Sequence, residues 1–154
     1  MAFHSSSGTC LSVSEGLPST FDKEGFGAMS FTQVGELESV GEMVMRRNTG
    51  QFSNLCTGNT SIIKGNREAI TVSVVCALDE DDAGQVLMIE SEDSHDLYSF
   101  CVTESNGTKN YFVGTVIAAG KEFGGDTEAV KAPYDIGVQA VKEMEKPILV
   151  VPAD

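Results

Sequence analysis

The stretch AITVSVVCAL, residues 69–78, decides the fold class of this chain. Apolar residues occupy every second position, and an alternation with a period of two is typical of a half-buried β-strand. The stretch therefore predicts a strand with one face in a core. That face carries Ile70, Val72, Val74, Cys76 and Leu78.

Two segments downstream extend this prediction to an antiparallel sheet. Leu97–Thr103 alternates in the same way, and Lys109–Ala119 is apolar on both faces, which indicates a central strand. Between them, Ser105-Asn106-Gly107-Thr108 contains the Asn-Gly pair that favours a tight hairpin turn. Shorter candidate strands are Leu11–Ser14, Met29–Val34, Glu36–Val44, Thr127–Lys131, Ile136–Val141 and Ile148–Val151.

One segment has helical spacing instead. Four acids at 79–82 precede it, and acids in a first turn suit the positive end of a helix dipole. Ala83, Val86, Leu87 and Glu90 then recur at helical spacing, which predicts one helix over roughly 80–91. The chain is expected to be mainly β: an antiparallel β-sandwich or partly closed barrel with one flanking α-helix.

The 154 residues predict one domain over 10–154, preceded by a flexible arm at 1–9. Within the domain, about 46–68 is polar and rich in Gly and Asn, which predicts a long loop or an extended hairpin arm. The first residues lack the basic and apolar regions of a signal peptide. The four cysteines are far apart in sequence, and we expect them to be reduced core residues.

Charge excludes several classes of partner. Ten basic and 23 acidic residues give a net charge of −13, so the chain repels phosphate and should bind neither nucleic acid nor an anionic membrane surface. No apolar run approaches the roughly 20 residues of a membrane span.

Candidate chemical sites are few. Asp79, Asp81, Gly84 and Glu90 match four positions of an EF-hand calcium loop, but Ala83 offers no ligand, and a capped helix start explains the same acids. Gly120-Lys121 lacks the rest of a phosphate loop, and the Cys and His spacing of a metal site is absent. We predict no enzyme and no cofactor; a calcium-binding β-sandwich module and a small enzyme using His95 are the alternatives.

The charges are distributed unevenly along the chain. Residues 79–96 hold eight acids and no base, whereas 41–68 has a net charge of +2. In a self-assembling protein these regions could meet head to tail between copies; otherwise both are solvated surface. Strand alternation would also place three glutamates on one face, which favours a wet surface such as a lumen or an ordinary exterior. The contact candidates are Arg46, Arg47, Lys64, Arg67, Asp79, Asp81 and Asp82, and the three glutamates are Glu36, Glu38 and Glu42.

The order of several segments resembles the major tail tube proteins of long, flexible-tailed bacteriophages. No single segment is a specific motif, and the resemblance lies in the ordered set, which covers most of residues 10–150. The segments are SVSEGLPSTFD at 12–22, Gly25-Phe26, FTQVGEL at 31–37, Ile63-Lys64-Gly65, DDAGQ at 81–85, Tyr98-Ser99-Phe100, Asn106-Gly107 and YFVGTV at 111–116.

The resemblance implies a role without catalysis. Family members form rings, usually hexameric, whose strands join into one inner barrel and which stack into a hollow tube around a tape-measure protein. DNA passes through the lumen during ejection, and terminator and distal tail proteins bind the tube ends. The chain would then belong to a virion tail assembled in the host cytoplasm, with Glu36, Glu38 and Glu42 lining the lumen. A single-ring tail-completion or distal-tail protein of the same fold is the related alternative.

Overall fold

The chain is mainly β, as expected, in a computed structural model that describes residues 3–153. The helices are α1 (Lys23–Gly27) and α2 (Ala83–Asp93). The strands are β1 (Cys10–Glu15), β2 (Thr32–Gln33), β3 (Leu37–Val40), β4 (Arg47–Ser53), β5 (Thr60–Arg67), β6 (Ile70–Ala77), β7 (Tyr98–Thr103), β8 (Lys109–Ala119), β9 (Lys131–Val138) and β10 (Ile148–Val151).

Eight strands form one antiparallel sheet in the order β2-β1-β7-β8-β9-β6-β3, with β10 also paired to β8. Two strands share one edge of β8. Strand β10 pairs with residues 109–112 of β8, and β9 pairs with residues 114–119 of the same edge. The sheet folds over into a sandwich, and β3 lies near β1 without pairing to it. The barrel is thus not closed.

The main core lies between the two halves of the folded sheet. The predicted face of β6 points into it, and Phe100 of β7 stacks on Phe112 of β8 with ring centroids 5.3 Å apart. A second cluster covers the opposite face of β7 and β8. There Phe26 of α1 stacks on Tyr111, with ring centroids 5.0 Å apart. Both faces of β8 are therefore buried over residues 111–114, which confirms its predicted central position for that part, whereas residues 117–119 are exposed.

Helix α2 begins three residues later than predicted and buries a different face. Its buried residues are Gly84, Gln85, Met88 and Ser91, whereas Val86 is 39% exposed and Ala83 and Glu90 are exposed. The buried face is displaced because α2 approaches the backbone of Gln33 and Val34 too closely for any residue but glycine at position 84. Only Leu87 of the expected face packs against the core.

Several predicted strands differ in extent. Met29–Val34 is a strand only at β2, since Met29 and Phe31 pack into the second cluster. Of Thr127–Lys131, only Lys131 belongs to a strand. Strand β9 instead runs through Pro133, which pairs with Val75 of β6 and has no partner on β8. Proline lacks a backbone N–H, and this position tolerates it because no β8 carbonyl is there to be bonded. The region near 46–68 is a hairpin rather than a loop, because β4 and β5 form a separate two-stranded sheet.

The part of residues 1–9 that the structure describes lies against the β7–β8 turn. His4 Nε2 is 2.9 Å from Glu104 Oε1, and the Ser105 hydroxyl donates to the Ser5 carbonyl at 2.8 Å. Met1 and Ala2 lie outside the described residues. Within the described part of the chain, no helix has the length and apolar character needed to cross a membrane.

Candidate assembly interface

One half of the sheet, β3-β6-β9-β8, has unpaired edges at both ends. Among residues 3–153, β3 pairs with β6 alone. At the other end, β7 covers β8 only as far as Gly114, and beyond it β9 is the strand partner of β8 within the described residues, with a bulge between Val116 and Ala118. On that edge the Val116 N–H donates to the Ser91 hydroxyl of α2 at 3.1 Å. Unpaired strand edges are templates for pairing with another chain.

Glu38 lies on the outer face of this half-sheet. Its carboxylate is 3.1 Å from the ammonium of Lys131 across β6, and this hydrogen bond raises the pKa of Lys131. On the same face, the Ser73 hydroxyl donates to the Asp135 carboxylate at 2.8 Å. The face is therefore polar and partly charge-balanced.

The prediction that three glutamates share one face of one strand is wrong. Only Glu38 belongs to β3, which covers four residues and has a register shift between Leu37 and Ser39. Glu36 precedes the strand with a left-handed φ of 55°, and Glu42 follows it and is 3.5 Å from Arg46. All three glutamates are nevertheless exposed around one edge strand, so strand alternation is no longer the reason to group them.

The hairpin β4–β5, together with its flanking residues 46 and 68, is here called the β4–β5 arm. It continues the β3–β6 pair away from the body, as the Glu68 N–H donates to the Arg46 carbonyl at 2.8 Å. Every residue of β4 is exposed, and all of β5 except Arg67 is exposed. An isolated two-stranded hairpin is at best marginally stable in water, so the arm is a candidate contact with another copy.

The four predicted basic residues all lie on this arm. Arg47 and Arg67 stand directly opposite each other, and the Arg47 guanidinium donates to the Gly65 carbonyl at 3.2 Å. Lys64 faces Thr49 on the neighbouring strand. Like charges directly opposite each other destabilise a hairpin, so an acidic partner would stabilise this one.

The acids predicted to meet them have mostly local roles. Asp82 is the N-cap of α2, and its Oδ2 accepts N–H groups from Gln85 at 3.0 Å and Gly35 at 2.9 Å. Asp79 Oδ1 accepts the N–H of Asp81 at 3.1 Å. Of the three, only Asp81 is exposed. The helix cap uses side-chain oxygens that a calcium loop would need as ligands, which disfavours the calcium-loop interpretation.

The remaining candidates offer no organised chemistry. His95 is exposed after α2, and among residues 3–153 no group of three His, Cys, Asp or Glu side chains could hold a metal ion.

Burial raises the pKa of the Cys76 thiol to about 11 and also raises that of Cys101, so both are inert core thiols. The prediction of four core cysteines is wrong for Cys56, which is exposed at the tip of the arm, and Cys10 is only half-buried.

The exposed apolar side chains of the arm were not predicted as a contact surface. Phe52 is 57% exposed, Ile63 56% and Leu55 100%. The signal was present, because Phe52 and Ile63 are large apolar residues in a segment otherwise dominated by polar residues. The segment was interpreted as a loop or an extended hairpin arm because Gly and Asn are frequent in it and its apolar residues show little periodicity.

The fold is shared with solved tube assemblies, although no family model matches the chain and no curated protein matches it by sequence. The SPP1 tail tube superposes with a TM-score of 0.63 at 13% identity, over 94% of this chain and 77% of that one. The tail of an empty GTA particle, determined with C6 symmetry, gives 0.59 at 10% identity, over 84% and 90%. The sheath-tube complex of the PVC contractile injection system gives 0.59 at 8% identity, over 94% and 88%. The predicted fold class is confirmed.

Proposed function

We propose that this chain is the structural subunit of a phage tail tube. Copies associate into rings, six to a ring, and the rings stack into a hollow tube through which DNA passes during ejection. The observation that carries this proposal is a fold shared over 84–94% of the chain with tail-tube and injection-tube structures. The chain would then be a non-catalytic component of the virion tail, assembled in the host cytoplasm.

The open half-sheet supports ring formation. Its unpaired edges, β3 at one end and residues 115–119 of β8 at the other, are different surfaces on opposite sides of one sheet. Pairing of one edge with the other between neighbouring copies is a heterologous contact, which closes into a ring when the rotation between copies divides a full turn. Closure would remove both edges and join the half-sheets into one inner barrel.

The charge of the chain supports a conduit that does not hold its cargo. Six copies would carry a net charge of about −78, since each carries −13. We assign Glu36, Glu38 and Glu42 to the lumen wall, where they would repel the DNA backbone and prevent the phosphate contacts that slow transit. Lys131 offsets Glu38 and Arg46 offsets Glu42, so Glu36 contributes most to this repulsion.

The tail-tube proposal also names the partners. The tube would assemble around a tape-measure protein, and terminator and distal tail proteins would bind its ends. Arg46, Arg47, Lys64 and Arg67 of the β4–β5 arm would contact a neighbouring copy, and Asp79, Asp81 and Asp82 lie in the acidic segment first proposed to receive them. Because Asp82 caps α2 and Asp79 binds its own turn, Asp81 is the residue of that segment left for such a contact.

Sedimentation velocity over a concentration series tests the assembly step. We expect ring-sized particles that grow into larger ones as concentration rises, and the double variant Arg46→Glu/Arg47→Glu to stop growth beyond rings. Lys23→Glu/Lys142→Glu, at two exposed positions outside the arm and outside the acidic segment, makes the same charge change and serves as the control. Normal polymers from the arm variant would remove the arm from the stacking contact. Growth that stops at one ring in the wild type would favour the single-ring alternative.

A further inference from the structure

Strand β10 has an outer edge without a strand partner among the described residues. Its sequence is Ile-Leu-Val-Val, and among the described residues it pairs only with β8. The four residues of the strand include no charged residue and no proline, so each keeps its N–H group, although Pro147 and Pro152 directly flank the strand and limit any pairing to these four residues. Val150 within it is 51% exposed. The edge would accept an additional strand.

A groove of about 310 Å³ lies beside this edge. Its apolar walls come from three separate parts of the chain, and Glu145 and Lys146 at its rim balance each other in charge. A bare strand edge next to an apolar groove is the combination used by sheet-edge recognition sites, in which the edge binds backbone and the groove receives side chains. The apolar lining residues are Phe21, Met45, Met144, Ile148, Leu149 and Val150.

The β4–β5 arm carries a matching apolar face. The pairing Gly50 with Ile63 and Phe52 with Ser61 places Phe52 and Ile63 on one face, separated only by small residues. Ile62 pairs with Gln51 and lies on the opposite face. One face of the arm therefore has two large exposed apolar side chains, and both outer edges of the arm lack a strand partner within residues 3–153.

Charge favours another copy as the partner of this arm. The arm holds four basic residues and one acid, a net charge of +3, whereas the rest of the chain holds six basic and 22 acidic residues, a net charge of −16. The arm is thus attracted to the body of a second copy as a whole. The groove itself is nearly neutral, so the contact made there would be apolar.

We propose that the arm of one copy docks beside β10 of a second copy, with Phe52 and Ile63 in the groove and the edge of the arm hydrogen-bonded to β10. This rests on the proposed tube, in which it would be the contact that joins rings. It replaces the acidic segment 79–96 as the main receiving surface. Salt should weaken the attraction between the arm and the acidic body, whereas the apolar contact in the groove should persist at high salt.

Photo-crosslinking tests the location. Copies carrying p-benzoylphenylalanine in place of Phe52 are mixed with ¹⁵N-labelled wild-type copies, assembled, irradiated and digested. We expect crosslinks from unlabelled position 52 to labelled peptides containing residues 143–151. Crosslinks found only to residues 79–96, or elsewhere, would overturn the docking site and leave the tube proposal standing. Failure to form any assembly would overturn both.

Substitution tests the energetics with a matched control. Phe52→Ser and Ile63→Ser should each raise the concentration needed for stacking about tenfold, since each removes a large apolar side chain that docking would bury. Ile62→Ser, on the opposite face of the same strand, should leave it unchanged although Ile62 is 71% exposed. Equal effects of all three variants would contradict the proposal. Thermal melting checks that each variant folds.

Discussion

The carboxylate of Asp82 accepts the backbone N–H of Gly35 at 2.9 Å, across 47 positions of sequence. The same oxygen caps α2 through the Gln85 N–H, and the buried Gln85 amide donates to the carbonyls of Gly35 and Ala77 at 3.1 and 2.9 Å. The start of α2, the turn before β3 and the end of β6 are therefore held together. The position of the β3 edge depends on this cluster.

Asp82→Ala should lower the free energy of unfolding by about 1–3 kcal/mol, because it removes the helix cap and leaves the half-buried Gly35 N–H without its partner. Urea denaturation measures the change. Asp81→Ala is the control, since that neighbouring side chain is exposed and is expected to contribute less than about 0.5 kcal/mol. Equal losses for the two variants would contradict the structural role of Asp82.

Glu36 has a left-handed backbone that a residue with a side chain adopts at a cost. Glu36→Gly should leave stability unchanged or raise it by up to about 1 kcal/mol, and Glu36→Val should lower it by about 1–2 kcal/mol. Chemical denaturation of both variants provides the comparison. A valine variant as stable as the glycine variant would show that position 36 is not strained.

The pKa of Glu104 is lowered first by the hydrogen bond from the Asn110 amide and then by His4. Because the folded pKa lies below the ordinary value of 4.5, ionised Glu104 stabilises the fold above that pH. The contribution is lost as pH falls through the lowered folded value. Glu104→Gln should therefore be less stable than wild type at pH 6 by under about 1 kcal/mol, with the gap shrinking at pH 3.

Denaturation at the two pH values measures the effect, with the exposed Glu92→Gln as control. A gap between wild type and Glu104→Gln that widens on acidification would have the wrong sign for a carboxylate with a lowered pKa.

The lumen assignment predicts a change in transport rather than assembly. The triple variant Glu36→Lys/Glu38→Lys/Glu42→Lys should still form tubes but should slow DNA ejection, because three new cations per copy would bind phosphate. Time-resolved ejection from virions carrying the variant measures this. Glu90→Lys/Glu92→Lys/Asp93→Lys makes the same charge change on α2. Ejection at the wild-type rate from the first variant would refute the assignment.

The strands with clear alternation could be predicted from sequence. Residues 69–78 and 97–103 have one unbroken apolar face each, and Asn106-Gly107 marks the turn before β8, where Gly107 has a left-handed φ of 92°. Strand β9 was displaced in the prediction because Pro133 and Asp135 interrupt its pattern. The short helix α1 was not predicted, since five residues carry too little periodicity.

The assembly surfaces were harder to predict because they depend on pairing between distant segments. The sequence analysis grouped four basic residues in one segment, and the structure shows that this segment is a hairpin. The four are Arg46, Arg47, Lys64 and Arg67. The local role of Asp82 depends on Gly35, which sequence spacing does not bring near it. The groove beside β10 joins residues 21, 45 and 144–150, and no local pattern links these positions.

The most direct test of the tube account is electron microscopy of the purified protein in negative stain, at low and high concentration in modest salt. The account predicts rings with a central hole at low concentration and hollow tubes of stacked rings at high concentration. A protein that remains monomeric at every concentration, even with a tail-initiation complex added, would contradict it.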